Sequence, residues 1–301
     1  MKKTLLVIVL IILVALFYTG DEAVKNDKPT IVTSTFALYD VASHIVGENM
    51  NVTQIVPFGV DIHHFEPTPK DIVTLKKSSL FIFSGAGLEP WTKNFISTNS
   101  SINMSKYVKL EGNEHQCSSS HEHEHKSVDP HYWLDIHNMK IASQEIFNSL
   151  VLIDEKNRNF YEKNLKNYMK SLDELNATYK KSLKSCKVNK IVVNHNAFEY
   201  LAHEYNFEII ALSGFSSDSQ PSAASMARLI ELVKNEKIMT IFFESFVSDK
   251  TMQTISQESG AKVDFLEPIA NITPKQAKHK VTFIDLMREN LHKLSSAMEC
   301  K

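Results

Sequence analysis

From His131 to Ser213 the chain contains neither glycine nor proline. Those two residues punctuate most loops and helix ends, so a stretch this long without them calls for long regular elements. Within it Tyr161, Leu165, Tyr168, Leu172, Leu175, Tyr179 and Leu183 follow one another at steps of three and four, the spacing that lines one face of an α-helix. Lysine, glutamate and asparagine fill the other faces. With Asp154 as N-cap, the pattern predicts a helix of about thirty residues, about 45 Å long at 1.5 Å per residue. A helix of that length is a strut between two bodies; the competing arrangement is an ordinary helical hairpin.

On both sides of this stretch strand-like and helix-like segments alternate. "TIVTST", "NVTQIVP" and "LFIFSG" read as strands, with "LYDVASHIVG", "PKDIVTLKKS" and the start of a helix at "EPWTKNFIS" interleaved. Beyond the strut come "KIVVN", "FEIIALS", "IMTIFFE" and "KVDFLE", separated by helical patterns and closed by "TFIDLMRENLHKLSSAM". Strand–helix alternation implies parallel sheets covered on both faces. The fold class expected is therefore α/β, in two lobes, each a parallel-sheet sandwich, joined by one long helix with a cleft between the lobes. The expected divisions are an N-terminal lobe over 28–150, a linker helix over 151–187 and a C-terminal lobe over 188–301.

"MKKTLLVIVLIILVALFYTG" differs from the rest: two lysines, an apolar run from Leu5 to Phe17, then small and polar residues. That is the layout of a secretory signal over 1–20, or of an uncleaved anchor, and either predicts an exported body in the periplasm or on the outer face of the cytoplasmic membrane. In an oxidising compartment two of Cys117, Cys186 and Cys300 can pair, with Cys186–Cys300 the expected pair and three free thiols the alternative. A formal net charge of −2 gives no ground for a nucleic-acid partner.

Six of the 13 histidines lie between positions 115 and 137. His115, His121, His123 and His125 stand in "NEHQCSSSHEHEHKSVD", a stretch too polar to bury its own core. Others arrive at the carboxyl ends of predicted strands, where open α/β sheets bind ligands. "NVTQIVP" leads to the adjacent His63 and His64, "KIVVN" to His195 and "KVDFL" to Glu267, while His131 stands in "DPHYWLD". Imidazoles and one carboxylate from different lobes suit a tetrahedral Zn²⁺ site. Spacing alone does not choose between His63 and His64.

"GVDIHHFEPTPKDIVTLKKSSLFIFSGAGLEPW", "DPHYWLD", "NHNAFEYLA" and "IFFESFVSDKTMQTISQESGAKVDFLEPI" together resemble the zinc/manganese solute-binding proteins of bacterial ABC importers, the ZnuA/TroA type. The resemblance implies the ligand set His63, His131, His195 and Glu267, where an aspartate is usual at the fourth position. It implies Glu244 beside one of the imidazoles, orienting it. It also implies an accessory metal-capturing role for the histidine-rich segment 113–127, and zinc as cargo, with manganese the alternative. The implied partner is a membrane permease with its ATPase, served by a monomer. A zinc hydrolase is the rival class, but the chain has neither HExxH nor GxSxG; a surface adhesin is a further alternative. Neutral imidazole ligands predict metal binding that weakens as pH falls through the ordinary histidine range near 6.5.

Overall fold

The computed structural model describes residues 28–94, 100–112, 128–213, 223–236, 238–244 and 250–301. The N-terminal apolar run, Cys117 and the four histidines of 113–127 lie outside the described residues. β1 (Thr30–Thr33), β2 (Asn51–Gln54), β3 (Leu80–Phe83) and β4 (Ser101–Asn103) form one sheet in the order β2-β1-β3-β4. β5 (Lys190–His195), β6 (Glu208–Ser213), β7 (Thr240–Phe243) and β8 (Lys262–Phe265) form a second in the order β6-β5-β7-β8. Every pairing is parallel, as the alternation predicts. Among the described residues no helix is long and apolar enough to cross a membrane.

In the first lobe α1 (Phe36–Val46) and α2 (Pro69–Lys77) flank the sheet; in the second, α5 (Glu199–Tyr205), α6 (Ala223–Asn235) and α7 (Lys250–Ser259) do so, and α8 (Pro274–Lys278) and α9 (Phe283–Ala297) follow, α9 packing against α1. Several start where the sequence supplies a cap. Thr68, Thr273 and Thr282 each form a capping box, with Asp71, Gln276 and Asp285 respectively, and Pro69 and Pro274 occupy first-turn positions, where a missing N–H costs nothing. The second sheet separates its two faces by strand period. Ile191, Val193 and Phe242 join a core continuous with the first lobe. Val192, Ile241 and Phe243 face a separate core with Leu229, Val233 and Ile255.

The glycine-free stretch holds two helices, α3 (Ile136–Ile153) and α4 (Arg158–Ser182), joined by a short 3₁₀ turn, so α4 folds back on α3 and also runs on to the second lobe. All six stripe residues within α4 are buried, and Leu183 is 8% exposed just past its end. The stripe's hydroxyls find partners across the molecule. Tyr168 donates to Asp40 Oδ2 at 3.1 Å and Tyr179 to the Met287 carbonyl at 2.6 Å, so one end grips α1 and the other α9. Asp154 stands at the N-cap position of the 3₁₀ turn Glu155–Asn157 that runs directly into α4, and Asn157 at that of α4 itself, neither with a side-chain capping bond. The Asp154 carboxylate instead accepts the Tyr161 hydroxyl at 2.6 Å and the Asn157 amide at 2.7 Å. The helix is 25 residues, about 38 Å, shorter than the stripe suggested. Cys186 and Cys300 are disulfide-bonded.

Candidate metal centre

Each sheet reverses its direction of strand addition at its central pair, β1/β3 and β5/β7. A crevice opens there beyond the strand ends. His195 is the last residue of β5 and Glu244 follows β7 directly, so the strand order itself brings them together: His195 Nδ1 hydrogen-bonds Glu244 Oε1, and both are buried. The matching crevice of the first sheet is filled by Glu89, which the sequence did not single out. Its carboxylate accepts the Ser34 hydroxyl and the backbone N–H groups of Ser84 and Gly85. Burial pushes its pKa up to about 7, against the pull of those donors. Tyr132, next to His131, donates to Ser84 Oγ at 3.4 Å, so this first-lobe crevice is the floor on which the His131 loop rests.

His63, His131 and His195 converge between the lobes. One ring nitrogen of each lies within 4.8 Å of the others, and the ring centroids are 5.6, 5.4 and 5.0 Å apart. Two rings carry a carboxylate on Nδ1: Asp129 Oδ1 is 2.7 Å from His131 Nδ1, and Glu244 serves His195. A neutral imidazole that donates Nδ1–H to a carboxylate holds its Nε2 lone pair ready for a cation. His131 Nε2 is buried and has no hydrogen-bond partner among the described residues, an arrangement that a ligand would relieve. Three such nitrogens fit a borderline-soft divalent ion such as Zn²⁺.

Two of the three imidazoles, those of His63 and His131, are held neutral without a metal. Desolvation, then the neighbouring rings His131 and His195, lowers the His63 pKa to about 4. Desolvation, then His195, lowers that of His131 to about 3. Burial raises Asp129 to about 7, with the His131 N–H opposing it; a cation on His131 would draw it down again. Below about 6.5 the unfolded chain binds protons at both histidines and the folded chain does not. Their contribution to metal-free stability is therefore lost as pH falls from about 6.5 towards 4. Protons displace a metal from these two rings only near their folded values. Metal release from the folded protein is thus expected with a midpoint closer to 4–5 than to the ordinary histidine value of about 6.5. A competition titration from pH 7.5 to 4 reads this directly; a midpoint at 6.5 would contradict it.

Glu267 is buried just past β8. Asn290 of α9 clamps its backbone on both sides, at 2.9 and 2.7 Å, and Gln276 Nε2 donates to its Oε1 at 3.5 Å. It is not among the atoms that lie mutually within 4.8 Å. His64 is half exposed and its Nδ1 turns to Asp61 Oδ2 at 3.1 Å, while His137 is exposed. Asp61 and Asp129 were missed as positioning groups, although a signal was present. In Asp61-Ile62-His63 and Asp129-Pro130-His131 the aspartate Oδ1 accepts the N–H of the histidine two residues on, at 2.9 Å in both, the Asx-turn geometry. Asp135-Ile136-His137 repeats the bond at 2.8 Å, so the spacing marks the turn and not the metal.

The family model described as "Zinc-uptake complex component A periplasmic" (ZnuA) matches residues 31–297. The "High-affinity zinc uptake system protein ZnuA" of Bacillus subtilis (strain 168) is 31% identical over 299 residues, covering 94% of this chain and 91% of that protein. The "Zinc-binding lipoprotein AdcA" of Streptococcus pneumoniae (strain ATCC BAA-255 / R6) is 29% identical; the alignment takes in 99% of this chain but only 62% of AdcA, so the chain spans less than two thirds of that longer relative. The crystal structure of the Zn(II)-bound ZnuA-like domain of S. pneumoniae AdcA superposes with a TM-score of 0.76 at 28% identity, over 90% of this chain and 99% of that one.

Proposed function

The chain belongs to the ZnuA family of zinc-uptake components, and from that premise we propose that His63, His131, His195 and Glu267 capture one Zn²⁺ outside the cytoplasm and deliver it to the permease and ATPase of an ABC importer. The observation that carries this reading is the convergence of three imidazole nitrogens within 4.8 Å, two of them on rings whose Nδ1 faces a carboxylate. Nitrogen donors favour zinc over manganese, which prefers more oxygen. Glu267 completes the shell from the second lobe, directly or through a water. With Glu267 bound directly, four protein ligands close the ion's coordination and leave no position for a reacting water; the protein carries its metal and does not catalyse with it. It acts as a monomer, and residues 113–127 supply weak accessory ligands that concentrate zinc near the cleft.

The test is metal content and a chelator-competition titration on residues 28–301, beside the same chain lacking 113–127. One tightly held zinc per chain is expected in both, with slower loading after the deletion. Loss of all tight binding on deletion would place the site in that segment and overturn the assignment. Metal-dependent hydrolysis of ester or peptide substrates would overturn the carrier role.

A further inference from the structure

The chain from Leu266 to Thr273 leaves the second sheet and crosses to the first lobe as a strap. Its backbone is fixed at intervals: Pro268 O accepts the Trp133 indole N–H at 2.7 Å, Ala270 O accepts Phe36 N–H at 2.8 Å, and Ile272 O accepts Gly59 N–H at 2.9 Å. Between these anchors Ile269 has φ +59°, a left-handed backbone that a β-branched residue adopts only where its surroundings impose it. Asn271 is 2% exposed. Its Nδ2 donates to Pro57 O and to Val60 O, both at 2.8 Å. Its Oδ1 accepts from Gln54 Nε2 at 2.8 Å and from the Ile272 N–H at 2.9 Å. Every hydrogen-bonding position of the amide is thereby used.

The two carbonyls that Asn271 grips are the two ends of one turn. Val60 N–H donates to Pro57 O at 3.1 Å, and Gly59 between them has φ +90°, the conformation a type II turn requires at its third residue. The turn runs straight into Asp61 and the 3₁₀ turn Ile62–His64. A side chain from the second lobe, four residues after Glu267, therefore holds the loop that delivers His63 from the first.

We infer that Asn271 is a positioning residue that sets the reach of His63 into the metal centre through the Pro57–Val60 turn. The inference rests on His63 being a ligand. One strap thus places both Glu267 and, through Asn271, the imidazole from the opposite lobe.

The test is a double-mutant cycle of zinc affinity, with Co²⁺ absorption as a report of ligand geometry, on the wild type, Asn271→Ser, His63→Ala and the double variant. Asn271→Ser is expected to weaken zinc about tenfold or more, the range of groups that orient metal ligands, and to move the Co²⁺ bands toward those of His63→Ala. In the His63→Ala background the same change should cost less than about twofold, because the ring it positions is gone. Additive losses, or unchanged affinity in Asn271→Ser, would overturn the inference. If Asn271→Ser does not fold, Gln54→Leu, which removes the donor to Oδ1 together with the Gln54 Nε2 bond to the Val56 carbonyl at 2.9 Å, should give the same non-additive pattern at smaller size; additivity there overturns it equally. Full zinc affinity in His63→Ala would instead bring down the ligand assignment, and the inference with it.

Discussion

Replacing His131 by alanine is expected to lower zinc affinity about a hundred- to a thousandfold while leaving the metal-free fold close to its original stability. Protein zinc sites bind with about 10–16 kcal/mol shared among four ligands, so one ligand accounts for about 3–4 kcal/mol, which converts to that range. The ring is fully buried and its Nε2 meets no hydrogen-bond partner among the described residues, so in the metal-free protein it carries the penalty of an unpaired buried polar atom. Alanine removes that penalty along with the packing. The Asp129 left behind has a pKa already pushed up to about 7 by burial and can take up a proton instead of remaining as a buried charge. Asp129→Asn should cost less, about ten- to a hundredfold, because the ring remains and only its orientation and tautomer are released. Chelator competition gives the affinities, and melting curves with and without zinc give the stabilities. Wild-type affinity in His131→Ala would remove the histidine cluster as the tight site.

The difference between what was legible and what was not follows the physics of each signal. The stripe on α4 was readable because seven apolar residues at helical spacing can be satisfied in one way only. Its start was not, because Asp154 is an equally good cap by residue type, and only the position of the Tyr161 hydroxyl decides where its carboxylate turns. The strands were readable as short apolar runs; β4 and α8, with three and five residues, are too short to carry a period. His195 was legible because it ends a strand. Its partner Glu244 came from family resemblance, yet the order β6-β5-β7-β8 would have brought the two together for anyone who knew it. Asn271 and Asn290 left no trace in the sequence. Their function is to bond backbone carbonyls 211–214 and 23 positions away, and no local pattern encodes that.

The second large effect lies at the Cys186–Cys300 bridge, and it should appear in stability and not in zinc binding. The bond closes a loop with a sequence separation of 114. In the chain-entropy account a loop of that length is worth about 4–5 kcal/mol, acting mainly by confining the unfolded chain. The folded neighbourhood has its own fastenings: Lys187 and Val188 both donate N–H bonds to Met298 O at 3.1 Å, and Lys301 N–H donates to Ser185 O at 3.0 Å. The C-terminus should therefore stay docked when the sulfurs are removed, and the loss should come from a more expanded unfolded state. Cys186→Ser with Cys300→Ser is expected to lower Tm by about 10 °C and to raise the urea m-value, because more surface is exposed on unfolding. Zinc affinity at 25 °C should be unchanged, since neither cysteine touches the histidine cluster or the strap. If Tm falls while the m-value stays fixed, the bridge acts through native contacts at the end of α9, and the unfolded-state account is wrong for this protein. If zinc affinity falls in parallel, the two lobes are coupled through α4 more tightly than its hydrogen bonds to α1 and α9 suggest.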